Sequence, residues 1–114
     1  LGLTYKAIKI SSGNSFVNET ETQVILGGSY DVGFTMDLVN KDINLFNKLG
    51  KNIKLELGNY LSKKFKLGMK NLGERSFSTS IIKLIEKDAK IKLRAKNFPK
   101  QLIDKQKKQK GVEV

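Results

Sequence analysis

With 114 residues, of which 39% are hydrophobic, the chain is long enough for one hydrophobic core, but it has no run of 18 apolar residues to span a membrane. It contains no cysteine and no histidine, which excludes disulfides, thiolate or imidazole metal sites and a Ser-His-Asp triad. The formal net charge is +11, and residues 41–114 hold 20 of the 22 basic residues. Because the chain begins at Leu1 rather than Met, we expect a trimmed or processed product from which a leader could have been removed.

The first third of the chain has the patterns of β-strands. Residues 3–10 and 22–26 are predicted strands, and Gly27-Gly28 predicts a hairpin turn or a bulge. Over residues 30–38, apolar residues alternate with small or acidic ones, which predicts a strand because successive side chains of a strand point to opposite faces. The apolar residues of this alternation, which we expect in the core, are Tyr30, Val32, Phe34, Met36 and Leu38.

The period changes over residues 40–49. Ile43, Phe46 and Leu49 are spaced by three, which predicts a short helix crossing one end of the sheet. The side-chain oxygen of Asn40 would cap its first turn, and Gly50 would end it in a left-handed conformation.

The second half returns to alternation. Residues 53–57, 65–69 and 91–95 are predicted strands, with turns at Gly58-Asn59 and at residues 71–74. Residues 76–85 fit either a strand or a short capped helix that begins after Ser80, and their β-branched content favours the strand. Pro99 ends the last strand, because proline cannot donate a hydrogen bond to a sheet.

Together, these patterns predict a mostly β fold with minor α content: a small antiparallel barrel or sandwich of about six strands with one short helix. The predicted β-rich domain covers residues 1–99. Residues 100–114 form a predicted basic C-terminal tail, either a frayed helix or disordered. Because residues 105–114 offer little apolar surface, they should be dispensable for folding.

No motif for catalysis, metal binding or cofactor binding stands out. Residues 49–52 resemble the end of a phosphate loop, but the first glycine and the Ser or Thr that holds magnesium are absent. Gly27-Gly28 leads into a predicted strand rather than a helix, unlike a dinucleotide fingerprint. The sequence therefore predicts no enzyme, no cofactor and no metal site.

Cations line the outer faces of two predicted strands. If these strands share a sheet, six cations form one surface, and Tyr60 could stack on a base beside them. Alternatively, the cations simply occupy the solvent side of each strand and protect sheet edges from unwanted pairing. The candidate nucleic-acid-binding residues are Lys64, Lys66, Lys70, Lys92, Arg94, Lys96 and Tyr60.

The resulting hypothesis is a non-catalytic basic module that contacts the backbone of nucleic acid or another polyanion. Sequence preference should be small, because lysine provides point charge and only two of the cations are arginines. The alternative is a structural or assembly subunit, such as a virion, tail or filament component, or an adaptor that pairs through strand edges. An enzyme inhibitor or accessory subunit is a third option. Protein partners or self-assembly fit either of the first two, and the cytoplasm or a virion is the favoured compartment.

Overall fold

The structure, a computed structural model, describes residues 1–105 and 111, and within them the regular structure is helical. Its elements in chain order are α1 (Gly2–Lys9), α2 (Phe16–Gly27), α3 (Met36–Leu49), α4 (Glu56–Leu72), a 3₁₀ turn (Ser78–Ile81) and α5 (Ile82–Asp88). The described residues contain no β-strand, and their β-pairing is limited to an isolated bridge between Thr35 and Phe77. The predicted mostly β barrel or sandwich of about six strands is therefore wrong.

The alternating segment at residues 30–38 is a loop that leads into α3. Tyr30 (φ 59°) and Gly33 (φ 65°) both adopt left-handed backbone conformations, which interrupt an extended strand. Helix α3 then begins at Met36 and not at Asn40, with Thr35 in the N-cap position. Met36 is fully buried as expected, but Phe34 is 39% exposed, so the alternation does not mark one core face.

Helices α3 and α4 pack against one another, and this contact is the most extensive between any two helices of the described chain. The helix predicted over residues 40–49 is confirmed as the C-terminal part of α3, although Gly50 (φ −90°) is not left-handed. The strands predicted at 53–57 and 65–69 are wrong, since residues 53–55 are irregular and α4 begins at Glu56 and contains all of 65–69.

Two glycines let the helices approach closely. The turn predicted at Gly58-Asn59 is wrong because both residues lie inside α4. A Cβ atom on Gly58 would lie 2.2 Å from Asn47 Oδ1, and one on Gly68 would lie 3.0 Å from Met36 Sδ. At both positions, a side chain of a neighbouring element occupies the space that a Cβ atom would fill, so a larger residue would not fit without a shift.

The core lies where the end of α2, the start of α3 and the 3₁₀ turn meet. Val24 and Met36 have no exposed surface. Thr79 Oγ1 donates a hydrogen bond to the Tyr30 carbonyl (2.5 Å), and the Ser78 amide donates to the Phe34 carbonyl (2.8 Å). Residues 76–85 therefore adopt the helical alternative, as the 3₁₀ turn and α5, and the strand that we favoured for them is wrong.

The chain after α5 has no regular structure among the described residues and runs back over α1 and α2. The Ala95 amide donates to the Leu26 carbonyl (3.1 Å), so the strand predicted at 91–95 is instead an irregular segment docked on α2. The predicted boundary between residues 99 and 100 stays a prediction. Of the predicted tail, residues 106–110 and 112–114 lie outside the described residues, and the described residues 100–105 contain no helix. No helix of the described residues has the length and apolarity needed to cross a bilayer.

Candidate functional site

The two sets of cations predicted to share a surface lie on different parts of the molecule. Lys64, Lys66 and Lys70 belong to α4, whereas Lys92, Arg94 and Lys96 follow α5. On a helix, residues two apart point about 160° away from each other, so Lys64 and Lys66 do not share a face as they would in a strand. The six-cation sheet surface is therefore absent from the described chain. Lys64 Nζ does lie 5.3 Å from the Tyr60 ring centroid; no observation tests whether these seven residues contact a ligand.

Arg94 points inward, into a cluster of polar groups with Glu86 and Tyr30. Its Nη1 lies 3.1 Å from Glu86 Oε1, and its Nη2 donates to the Tyr30 hydroxyl at 2.7 Å. The Tyr30 hydroxyl donates in turn to Glu86 Oε2 (2.6 Å), while the Leu93 amide donates to Glu86 Oε1 (2.7 Å). Both Tyr30 and Glu86 are buried, and the cluster satisfies both carboxylate oxygens internally. These hydrogen bonds join the loop before α3, helix α5 and the segment that follows it.

The electrostatics of this cluster follow from burial and hydrogen bonding. Burial favours the neutral form of Glu86, but the hydrogen bonds from Tyr30 and Leu93 and the charge of Arg94 outweigh it and lower the pKa of the carboxyl group. Burial and the hydrogen bond to Glu86 raise the pKa of Tyr30. The ionised Glu86 and the neutral Tyr30 are thus the forms that the fold stabilises.

A second group of polar residues lies between α3 and α4, and its side-chain amides have NH₂ groups that can still donate hydrogen bonds. Asn40, Asn44 and Asn47 recur at helical spacing and so share one side of α3. The buried Ser62 hydroxyl of α4 donates to Asn44 Oδ1 at 3.1 Å and lies 3.5 Å from Asn40 Oδ1. Because these two amides use their oxygens toward Ser62, their NH₂ groups remain as donors for another acceptor.

Asn47 is the unusual member of this group. Its Oδ1 atom is buried and has no hydrogen-bond partner among the described residues. Leaving such an acceptor unpaired costs about 1–3 kcal/mol. Buried polar atoms of this kind call for an explanation such as a water, an ion or a functional role. The Asn47 oxygen lies against Gly58 of α4, inside the contact between the two helices.

Lysines surround these amides. A depression of about 500 Å³ extends from Asn44 and Asn47 to Lys48 of α3 and Lys63 and Lys66 of α4. A second depression of about 360 Å³ continues along α3 and shares Asn44 and Lys48 with the first. We call the amide, lysine and serine side chains of these two depressions the amide–lysine surface; its members are Asn40, Lys41, Asn44, Asn47, Lys48, Asn59, Ser62, Lys63 and Lys66. Asp37 and Leu45 also line the second depression.

The chemistry of the amide–lysine surface is that of an anion-binding site. Ammonium groups and amide NH₂ groups are hydrogen-bond donors suited to phosphate, carboxylate and hydroxyl oxygens. Lys41 is partly neutralised by Asp42, which lies 2.9 Å away, whereas Lys48, Lys63 and Lys66 make no ion pair with the described residues. Of the seven residues predicted from the sequence, Lys66 alone belongs to this surface. The asparagines fall at helical spacing within or beside the helix predicted over residues 40–49, but the segment that forms α4 was predicted as strands.

Comparison with known proteins gives a family match. Residues 1–85, most of the chain, match the sequence model of a family described as NAD-binding of NADP-dependent 3-hydroxyisobutyrate dehydrogenase. No curated protein and no solved structure matches the chain. The family match contradicts both the predicted nucleic-acid-binding module and its alternative, the virion, tail, filament or adaptor subunit. Among the described residues, the lysines that suggested a nucleic-acid partner are divided between the helices and the irregular segments instead of a continuous sheet face.

Proposed function

We propose that this chain, which belongs to the family described as NAD-binding of NADP-dependent 3-hydroxyisobutyrate dehydrogenase, contributes to dinucleotide binding in a dehydrogenase. The family match supports this proposal, and the amide–lysine surface offers a place for the ligand. The observation that carries the location is the depression between α3 and α4, in which Lys48, Lys63 and Lys66 surround the amides of α3. The prediction that the chain is not an enzyme stays a prediction.

The residues of this surface fit the phosphate and ribose part of a dinucleotide. A pyrophosphate carries negative charge, and NADP adds a further phosphate, so a group of unpaired lysines is electrostatically complementary to it. Ribose hydroxyls can donate to an amide oxygen as well as accept from an amide NH₂ group. The usual phosphate site, a glycine-rich turn between a strand and a helix, is absent from the described residues. Binding would instead use side chains on the flanks of α3 and α4.

Each group has a defined part in this proposal. Lys48, Lys63 and Lys66 would neutralise phosphate oxygens, and Asn44 would donate through its NH₂ group. Ser62 would hold the Asn44 amide in orientation through its 3.1 Å hydrogen bond. The dinucleotide, when bound, accepts or donates a hydride; the residues of this chain bind and orient it.

Titration calorimetry with NADP⁺, NADPH and NAD⁺ at low salt tests the proposal. The triple variant K48Q/K63Q/K66Q should weaken NADP⁺ binding by at least about tenfold, since a hydrogen bond to a charged group is worth about 1.5–3 kcal/mol. The matched control K6Q/K87Q/K100Q removes the same charge from exposed residues outside the surface and should change the affinity far less.

Two results would count against the proposal. Equal losses in the two triple variants would show that binding depends on net charge and not on this surface. No heat of binding from the unaltered chain would refute its role in holding the dinucleotide. The same samples, assayed for NADP⁺-dependent oxidation of 3-hydroxyisobutyrate through the absorbance of NADPH, test whether the chain supports catalysis.

A further inference from the structure

Residues 91–104, which we call the strap, lie beyond the matched part of the chain and cross the α1–α2 hairpin. The Ala95 amide donates to the Leu26 carbonyl (3.1 Å), and Gln23 Nε2 donates to the Ile103 carbonyl (3.2 Å). Between these points, the Phe98 ring meets the Tyr5 ring edge-on, with centroids 5.2 Å apart. The strap is therefore attached to both α1 and α2.

The strap crosses α2 where that helix ends in two glycines. A Cβ atom on Gly27 would lie 2.0 Å from the Pro99 carbonyl oxygen. One on Gly28 would lie 2.6 Å from Arg94 Nε. At both residues, the strap occupies the volume that a side chain would fill, so its backbone lies directly on the end of the helix.

Arg94 fastens the strap to three other parts of the chain. Its guanidinium group pairs with Glu86 of α5, donates to the Tyr30 hydroxyl in the loop before α3, and donates to the Ile25 carbonyl of α2 at 3.2 Å. One side chain thus links the last helix, the loop between the helix pairs and the end of the α1–α2 hairpin.

The contacts between the helices show what the link through Arg94 adds. Helix α1 packs on α2, α3 packs on α4, and α2, α3 and α4 each touch the 3₁₀ turn. The strap is a further connection between the α1–α2 hairpin and the rest of the molecule, since Arg94 joins α2 to α5 and to the loop before α3. Opening it would remove this connection without changing the contact between α3 and α4.

We propose that the strap is a clasp that holds the α1–α2 hairpin against the rest of the molecule, with Arg94 as its fastening. Opening the clasp releases the hairpin as a unit, while α3 and α4 stay paired. This conformational device is independent of the dinucleotide-binding proposal.

Hydrogen–deuterium exchange of the full chain, resolved by mass spectrometry into α1–α2 and α3–α4 peptides, tests the clasp. Gly27→Ala places a Cβ atom where Pro99 lies, although alanine suits a helix better than glycine does. We expect exchange in α1–α2 to accelerate by about tenfold or more, with less than about a twofold change in α3–α4. Gly13→Ala is the matched control, because its Cβ atom would lie 3.5 Å from the nearest atom, and it should leave both regions unchanged.

Two further variants loosen the strap from its own side. Arg94→Gln removes the contacts of the guanidinium group with Glu86, Tyr30 and Ile25. Phe98→Ala removes the ring contact with Tyr5 and leaves the Glu86 cluster intact, so it tests the strap even if Arg94→Gln does not fold. Both should reproduce the selective loss of protection in α1–α2. Equal acceleration in both helix pairs, or unchanged exchange in α1–α2 of Gly27→Ala and Phe98→Ala, would overturn the proposal.

Discussion

Replacing Tyr30 with Phe should lower the free energy of unfolding by about 2 kcal/mol. The ring is 3% exposed, and phenylalanine keeps its volume, so the change removes only the hydroxyl group. That hydroxyl donates to Glu86 Oε2 at 2.6 Å and accepts from Arg94 Nη2 at 2.7 Å. Hydrogen bonds to charged groups are worth about 1.5–3 kcal/mol each, and an unpaired buried acceptor adds a desolvation cost.

The expected loss of about 2 kcal/mol assumes that only the hydrogen bond to Glu86 is lost without replacement. The Glu86 side chain is 9% exposed, so water cannot readily replace the lost partner at Oε2. The Arg94 side chain is 36% exposed, and its Nη2 can recover a hydrogen bond from solvent. Lys83 Nζ lies 4.5 Å from the Tyr30 ring centroid, and this cation–π contact survives in phenylalanine.

Urea denaturation of the unaltered chain and of Tyr30→Phe measures this difference directly. Tyr60→Phe is the matched control, because Tyr60 is 55% exposed and should lose less than about 0.5 kcal/mol. If the two variants are equally stable, the cluster of Tyr30, Glu86 and Arg94 does not contribute net stability, and the reasoning is refuted.

Three further changes test the fold. The fold lowers the pKa of Glu86, so its ionised form contributes stability that is fully present above the ordinary pKa of 4.5 and is lost as the pH falls through the folded pKa. Glu86→Gln should therefore be less stable than the unaltered chain at pH 7 and lose less stability on acidification. Thermal midpoints measured over this pH range check both expectations. Gly58→Ala should cost about 1–3 kcal/mol in denaturant titrations, because its Cβ atom would lie 2.2 Å from Asn47 Oδ1. Met36→Ala should cost about 2–5 kcal/mol, against less than about 0.5 kcal/mol for the exposed Leu49→Ala.

The sequence predicted helix α3 but not its partner, and glycine explains much of the difference. The three-residue spacing of Ile43, Phe46 and Leu49 is a helical signal that survives in the structure. In α4, Gly58 suggested a turn because glycine costs about 1 kcal/mol in a helix interior. Its actual role is to admit Asn47 of the neighbouring helix, and a requirement of that kind is invisible until the partner helix is known.

The alternation at residues 30–38 misled for a different reason. A period of two predicts a strand only if every residue stays extended, and Tyr30 and Gly33 do not. Glycine at position 33 hinted at this, but a left-handed tyrosine is uncommon, since a side chain disfavours that region. Tyr30 adopts it in a setting where its hydroxyl bonds to Glu86, 56 residues away in the chain, and local sequence does not reveal such a distant partner.

The candidate site was only partly accessible to sequence reasoning, because charge pattern does not distinguish cations that fold the chain from cations that face a ligand. Both arginines make ion pairs, Arg75 with Asp37 at 3.0 Å and Arg94 with Glu86 at 3.1 Å. Arginine suits such pairs because its planar group makes several hydrogen bonds in fixed directions. The excess charge is carried by lysines, and those of the amide–lysine surface make at most exposed ion pairs of little energetic value. Folding and the proposed dinucleotide binding therefore depend on different cations, so the lysines can be neutralised to test binding while the Arg94 cluster is left intact.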